Sequence, residues 1–442
     1  MSSSIAILGA GMAGLGAAWR LAEAGAEGTV FEKLGRPGGH TRSFRTEGGF
    51  IFDDGPHISF TKNPRIQELF AESVRGEFEV VQARVNNHWR GHWIKHPAQC
   101  NLYGLPPDVV SQVIHDFVEA RAQVRGDEVP ANYEDWLLAA YGRMFAETFP
   151  MVYGEKYHTL PARLMSTDWL GPRLYRPDLK EILDGALAEE TEDFHYAGYV
   201  RYPTKGGFES YLRLFLEKAT VESSKEAIEI DPAKGLVRFS DGTEITPDGL
   251  VSSLPLPALV GCIRDAPSHV VDAASTLACS KCVTVNVGVN REDLSDHHWT
   301  YVYDRDFTAT RLSFPHMFSP GTVPAGTGSI QAEVYFSDKY RPLDVEPDAL
   351  IEPVLGDLRR CGLLRQDDGI LHAGARLVEH GNVIFDLDRN DALAVILPFL
   401  DEVGIATCGR YGLWGYHWTD ESFESGEAAV QKVLDGLRLG RR

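Results

Sequence analysis

An apolar run, Ile5-Ala6-Ile7-Leu8, leads directly into Gly9-x-Gly11-x-x-Gly14, and a helical pattern from Leu15 to Ala24 follows without a gap. Gly25 stops that helix, Gly28 to Glu32 reads as a second strand, and Glu32 lies 18 residues past Gly14. The order strand, glycine turn, helix, strand, acid leaves few alternatives. The first glycine makes a tight turn, the second lets backbone approach a pyrophosphate, and the third lets helix and strand pack closely. The helix start offers unpaired N–H groups to the anion, and the acid is placed to accept from ribose hydroxyls. The residues alone leave NAD and FAD both open.

The rest of the pattern is mixed α/β. Pro107 to about Ala188 is helical in periodicity, with Trp136 to Phe149 a second helical segment. Leu236–Phe239 and Glu244–Thr246 flank Asp241-Gly242 as a hairpin. Val283, Val285, Val287 and Val289 alternate as one face of a sheet strand, and Gly328 to Phe336 is also strand-like. Leu343 to Leu364 and Ser422 to Leu439 read as helices. The expected fold is a Rossmann-like dinucleotide-binding domain (an FAD-binding domain on the family resemblance) with an inserted helical domain and an antiparallel β-sheet substrate domain. The expected division is 1–90, 200–260 and 380–442 for the discontinuous dinucleotide-binding domain, 100–190 for the helical insertion and 265–375 for the sheet.

Charge and composition exclude several functions. The 442 residues carry 43 Lys and Arg against 63 Asp and Glu, a formal charge of −20, so the overall field does not favour nucleic acid or an anionic membrane. Six cysteines are too few for a disulfide scaffold and suit a cytoplasmic protein. No run is long and apolar enough for a membrane span. His88, His92 and His96 mimic a metal-binding helix face, but Trp89 to Ile94 reads as a hairpin, which would keep them apart. Cys279-x-x-Cys282 has no second pair at zinc-site spacing, and no Gly-x-Ser-x-Gly elbow appears. No metal is expected.

Lys33-Leu34-Gly35-Arg36-Pro37-Gly38-Gly39-His40-Thr41-Arg42-Ser43 adds a second glycine-rich stretch after Glu32. With it, the N-terminus resembles flavoproteins of the amine-oxidase and UDP-galactopyranose mutase superfamily, which implies FAD. The likeness narrows further along the chain. Asp53-Asp54-Gly55-Pro56-His57 is similar to the flavin-facing loop of the mutases, with Pro56 in place of a glycine. Trp93 to Leu102, with Gln99, resembles their nucleotide segment, though His96 and Ala98 replace aromatics. Trp169-Leu170-Gly171-Pro172-Arg173, Tyr301 leading to Arg311, and Gly409-Arg410-Tyr411-Gly412 leading to Tyr416, Asp420 and Glu421 are similar to later mutase segments. Gly381 to Phe385 departs from the family, which has a tyrosine–proline stretch there.

The resemblance implies a flavin-dependent mutase interconverting pyranose and furanose forms of a nucleoside-diphosphate sugar, with N5 of reduced FAD as nucleophile and NAD(P)H as a candidate reductant. It implies His57, Arg173 and Arg311 as catalytic residues, the two arginines holding the diphosphate. Gln99, Tyr301 and Tyr416 would contact the substrate. Gly9, Gly11, Gly14, Glu32, Lys33, Gly39, His40, Thr41, Arg410, Asp420 and Glu421 would contact FAD. The alternative is an FAD-dependent oxidoreductase of the amine-oxidase or protoporphyrinogen-oxidase type, and a flavin-binding carrier or regulator is a third reading. A homo-oligomer is left open.

Overall fold

The computed structural model describes residues 4–123, 130–171, 174–189 and 198–438. Ser4–Leu8, the apolar run at the start, is the centre of a five-stranded parallel sheet. The order is Ile405–Thr407, Gly249–Ser252, Ser4–Leu8, Glu27–Glu32 and Val221–Ser223. Parallel strands are covered on both faces, which is why these segments read as continuous apolar runs. The helix Met12–Glu23 follows the glycine turn and packs against the long C-terminal helix Thr419–Arg438. The last strand and last helix thus return to the nucleotide fold begun at the N-terminus.

A seven-stranded sheet stands beside it, in the order Ile370–Val378, Ser280–Val289, Gly328–Ser337, Arg311–Ser313, Trp299–Val302, Val85–Trp89 and His92–Lys95. All its neighbours are antiparallel except Trp299–Val302 and Val85–Trp89, which run parallel. The hairpin at 85–95 comes from a stretch that the expected division cuts at residue 90. Arg90 and Gly91 turn it with φ of 48° and 81°, the left-handed pair that a two-residue hairpin turn requires. His88 and His96 are accordingly engaged separately. His88 Nδ1 bonds Asp304 at 2.7 Å and His96 Nδ1 lies 3.2 Å from the Asn87 side chain. No group of metal-ligand side chains converges among the described residues.

Both faces of this sheet are buried, and they differ in chemistry. Val283, Val285, Val287 and Val289 join Ile330, Ala332 and Val334 in a core under the helix Ile351–Arg360. The alternate residues Thr284, Asn286, Gln331 and Glu333 are buried as well. Gln331 donates to Asn286 at 2.8 Å, and Glu333, on the same face, lines the functional cleft.

The helical middle differs in detail from its sequence pattern. The expected helix at Trp136 to Phe149 is two helices, Tyr133–Tyr141 and Arg143–Thr148, broken at Gly142 (φ 77°). A Cβ there would lie 2.4 Å from the Asp116 carbonyl carbon, so the chain turns where helix Pro107–Gln123 presses against it. The segment 343–364 is helical only from Pro347, as a short 3-10 turn and then Ile351–Arg360. Proline at 347 suits a helix start and not a helix interior. No helix of the described residues is long and apolar enough to cross a membrane.

Asp53, at the end of the short strand Ile51–Asp53, ties the segment 199–212 to the large sheet. Its carboxylate accepts from Ser43 Oγ at 2.6 Å, Tyr202 Oη at 2.8 Å and the Phe208 N–H at 3.1 Å, and its carbonyl accepts from Gln331 at 2.9 Å. Burial raises its pKa from 3.8 to about 6, against the lowering effect of those three donors and with a smaller push from Asp54. Between these values the folded chain binds more protons at Asp53 than the unfolded chain, so this group's contribution to stability falls as pH rises from 4 to 6. The change is of order 3 kcal/mol. Asp53→Asn removes the titration. Relative to the variant, the wild type is expected to lose that amount between pH 4 and pH 7 in denaturant unfolding, and parallel pH curves for the two would refute the assignment.

Candidate functional site

The glycine turn builds the first end of the site. Gly9 has φ 95° and donates its N–H to the Phe31 carbonyl at 2.8 Å, closing strand to strand. Gly11 caps the helix Met12–Glu23 in extended backbone with no side-chain acceptor, so the first-turn N–H groups face the cleft without a side-chain partner. Glu32 is buried, and its two oxygens accept from Ala10 N at 2.9 Å and Leu34 N at 3.0 Å. It fixes both glycine loops and keeps further lone pairs for hydroxyl donors. The second loop is held to the first by Gly38 N–H to the Ala10 carbonyl at 2.8 Å. These residues fit a dinucleotide pyrophosphate and ribose.

From this cradle a single cavity of about 700 Å³ runs to the buried polar face of the large sheet. Its walls include Gly9, Gly11, Glu32, Lys33, Gly39, His40, Thr41, His57, Tyr301, Arg311, Arg410 and Tyr416. Gly14 lies behind the turn, where a Cβ would meet the Gly9 carbonyl oxygen at 1.8 Å. Gln99 is turned elsewhere, donating to the Tyr175 carbonyl at 3.0 Å. Glu421 accepts from the Trp418 N–H at 2.7 Å at the helix start, and neither it nor Asp420 lines the cavity. Arg173 lies outside the described residues.

At the far end, strand register sets the chemistry. Tyr301 stands opposite Arg311, Arg311 opposite Glu333 and Glu333 opposite Thr284, one row across four strands. Arg311 clasps the buried Glu333 with two bonds, Nε to Oε2 and Nη2 to Oε1, the second at 2.9 Å. Tyr335 Oη also donates to Glu333, at 2.6 Å. Burial opposes the charge on Arg311, but Glu333 outweighs it and holds the guanidinium firmly protonated. Two of its five N–H groups are used, so three remain for a ligand.

Tyrosines close the sides. Tyr157 Oη and Tyr416 Oη are 3.2 Å apart, Tyr153 stacks on Tyr157 at 5.4 Å, and Tyr301 sits between the rings of Tyr153 and His96 at 5.2 and 5.0 Å. Burial drives the hydroxyls of Tyr153, Tyr157 and Tyr335 far up, so they act as neutral donors and acceptors. Among the described residues Arg410 donates to neutral acceptors, the His417 carbonyl at 2.9 and 2.7 Å and Asn382 Oδ1 at 3.0 Å, and lies 5.1 Å over the Tyr416 ring. It keeps its charge for a ligand. His57 Nδ1–H donates to the Gly55 carbonyl at 2.7 Å, and burial lowers its pKa, so the neutral ring leaves Nε2 as an acceptor.

Glu333, Tyr335, Tyr153 and Tyr157 are site residues that the sequence reading did not name. For Glu333 and Tyr335 the signal was period-two alternation in Gly328–Ser337, where Gln331, Glu333 and Tyr335 interleave with Ile330, Ala332 and Val334, whereas Tyr153 and Tyr157 are one helical turn apart on Pro150–His158 and carried no such signal. A strand that alternates while buried on both faces places polar side chains against something other than water.

Known proteins match this arrangement. A profile of the NAD(P)-binding Rossmann-like domain matches residues 7–73. The hydroxysqualene dehydroxylase of Rhodopseudomonas palustris is 34% identical over 101 residues, 20% of this chain and 24% of that protein. The hydroxyneurosporene desaturase of Cereibacter sphaeroides is 30% identical over 185 residues, 41% of this chain and 31% of that protein. The matched stretches thus span a third or less of those curated relatives. A crystal structure of reduced UDP-galactopyranose mutase superposes with a TM-score of 0.92 at 27% identity, covering 98% of this chain and 96% of that one. A putative protoporphyrinogen oxidase from Exiguobacterium sp. shares the fold, with a TM-score of 0.76 at 16% identity over 98% of this chain and 99% of that one.

Cradle, cleft and matches together define a protein with a Rossmann-like dinucleotide-binding fold. Over nearly its whole length that fold is similar to the fold of UDP-galactopyranose mutase.

Proposed function

We propose that this chain is a flavin-dependent mutase that interconverts the pyranose and furanose forms of a nucleoside-diphosphate sugar. The observation that carries this reading is Arg311. Its guanidinium is fixed by Glu333 in the wall of the same cavity as the dinucleotide cradle, with three N–H groups left over. A leaving diphosphate gathers negative charge as the glycosidic bond breaks, and a planar, pre-oriented cation stabilises it with charge-assisted bonds. Tyr301 and the Tyr157–Tyr416 pair supply neutral hydroxyls that orient the phosphates. Arg173 is proposed as the second diphosphate cation. Bound and reduced, FAD would supply the nucleophile for the anomeric carbon, with NAD(P)H the proposed reductant. His57, neutral and anchored through Nδ1, offers Nε2 to a donor on the ligand.

A second reading is an FAD-dependent oxidoreductase acting on a less charged substrate. It is favoured by Glu333, which cancels the formal charge of Arg311, and by the desaturase among the sequence relatives. One assay separates the two. UDP-, dTDP- and GDP-sugars are incubated with the protein before and after dithionite reduction. The mutase isomerises one of them only when reduced, without net use of reductant. Stoichiometric oxygen consumption with no isomerisation would instead establish the oxidoreductase.

A further inference from the structure

A second cavity, of about 240 Å³, lies on the far side of Tyr335 from the flavin cleft. That is several times the ~30 Å³ share of one water in the liquid. Three cations line it, Lys156, Arg305 and Arg341, against one carboxylate, Glu155. Arg305 takes up that carboxylate at 3.1 Å, at the exposed rim. Arg341 donates to the Glu155 carbonyl at 3.2 Å, and no carboxylate lies within ion-pair distance of it among the described residues. Lys156 is buried on the helix Pro150–His158, and its ammonium donates to the Asp304 carbonyl at 2.9 Å and the Ala309 carbonyl at 2.7 Å. Its third proton remains available.

The acidic side chains nearby are spent elsewhere. Asp304 binds His88 Nδ1 and the Arg90 N–H, both at 2.7 Å. Asp306 binds Arg360 at 2.6 Å. Asp357 binds Arg360 at 2.8 Å and the backbone N–H groups of Thr308 and Ala309. Burial lowers the Lys156 pKa from 10.5 to about 8, the three aspartates work against that, and Arg341 adds to it. Lys156 and Arg341 face one hollow whose single lining carboxylate, Glu155, is taken up by Arg305, so an anion that binds both cations would stabilise them.

We propose that this cavity is a binding site for a phosphate-class oxyanion, held by Lys156 and Arg341 with Arg305 at its mouth. The site is separate from the cleft and does not depend on which reaction the cleft performs.

Titration calorimetry of the FAD-loaded full chain with inorganic phosphate, in a low-salt buffer free of phosphate, tests it. One saturable phosphate site is expected that Arg341→Gln weakens about tenfold or more, as loss of a charge-assisted contact implies. Arg341→Lys should stay within a few-fold of wild type, and Arg311→Lys should leave this site unchanged. Should Arg341→Gln fail to fold, judged by lost flavin, Arg305→Gln at the rim is expected to weaken phosphate a few-fold. Absence of saturable binding, or binding lost in Arg311→Lys and retained in Arg341→Gln, overturns the proposal. Glucose 1-phosphate distinguishes the sources. Tighter, Arg341-dependent binding makes the ligand a phosphorylated sugar, and equal or weaker Arg341-dependent binding makes it the free anion.

Discussion

Arg311→Ala is expected to destabilise the folded chain by about 3–5 kcal/mol, because it strands a buried carboxylate without its cation. Glu333 is 2% exposed, and among the described residues the Tyr335 hydroxyl is its one remaining side-chain donor. The loss should show as a clear fall in denaturation midpoint, together with lost substrate binding in the cleft. Arg311→Met with Glu333→Gln should recover much of the stability, since the charge and its partner leave together. It should recover none of the substrate binding, because the N–H groups are gone. Comparing the single with the double variant thus separates the structural from the functional role of the pair. A single Arg311→Ala as stable as wild type would refute the buried pair. A double variant that binds sugar nucleotide normally would remove Arg311 from the mechanism.

Gly14→Ala should give a colourless protein. The added Cβ would sit 1.8 Å from the Gly9 carbonyl oxygen, and backbone cannot swing aside as a flexible side chain can. The turn and the helix start must separate, which moves the Gly11 cap and the N–H groups facing the cleft. Overpacking typically costs ~1–3 kcal/mol, and a backbone clash this close belongs at or beyond the upper end. Flavin retained per mole of chain should fall at least tenfold (about 1.4 kcal/mol of lost affinity). Gly55→Ala is the control. That glycine has positive φ, which Gly14 does not, and lines the cavity, but a Cβ there meets no protein atom within 4 Å, so it reports the cost of backbone strain at the cleft without the clash at the turn. Full flavin content in Gly14→Ala would show that the turn relaxes without opening the cradle.

The dinucleotide cradle was legible because its constraints are local. Gly9, Gly11, Gly14 and Glu32 act within one strand–turn–helix–strand unit, and the turn, cap and acid follow from backbone conformation over about 30 residues. The hairpin at Arg90-Gly91 was legible for the same reason, since a glycine between β-forming residues in Trp89 to Ile94 is a local signal. The helix break at Gly142 was not, because its cause is the Asp116 backbone on another helix. Gln99, Asp420 and Glu421 were named from a likeness of segments, and their side chains are drawn to Tyr175 in the first case and to a helix start in the last. No local signal distinguishes a polar side chain that lines a cleft from one that caps a helix a few ångströms away.

Sequence alone determined a strand, glycine turn, helix and strand-end acid suited to a dinucleotide, and a C-terminal helix expected to return to that fold. Those features rest on φ angles, periodicity and spacing, which each residue carries with it. Only the tertiary structure decided that Arg311 meets Glu333, that the alternating polar face of the large sheet forms the cleft wall, and that Lys156, Arg305 and Arg341 face one hollow. Each of those pairings joins residues from separate strands, helices or loops. Strand register and helix packing fix which charges meet, and both are set by the cores under the sheet and not by any neighbour in the chain.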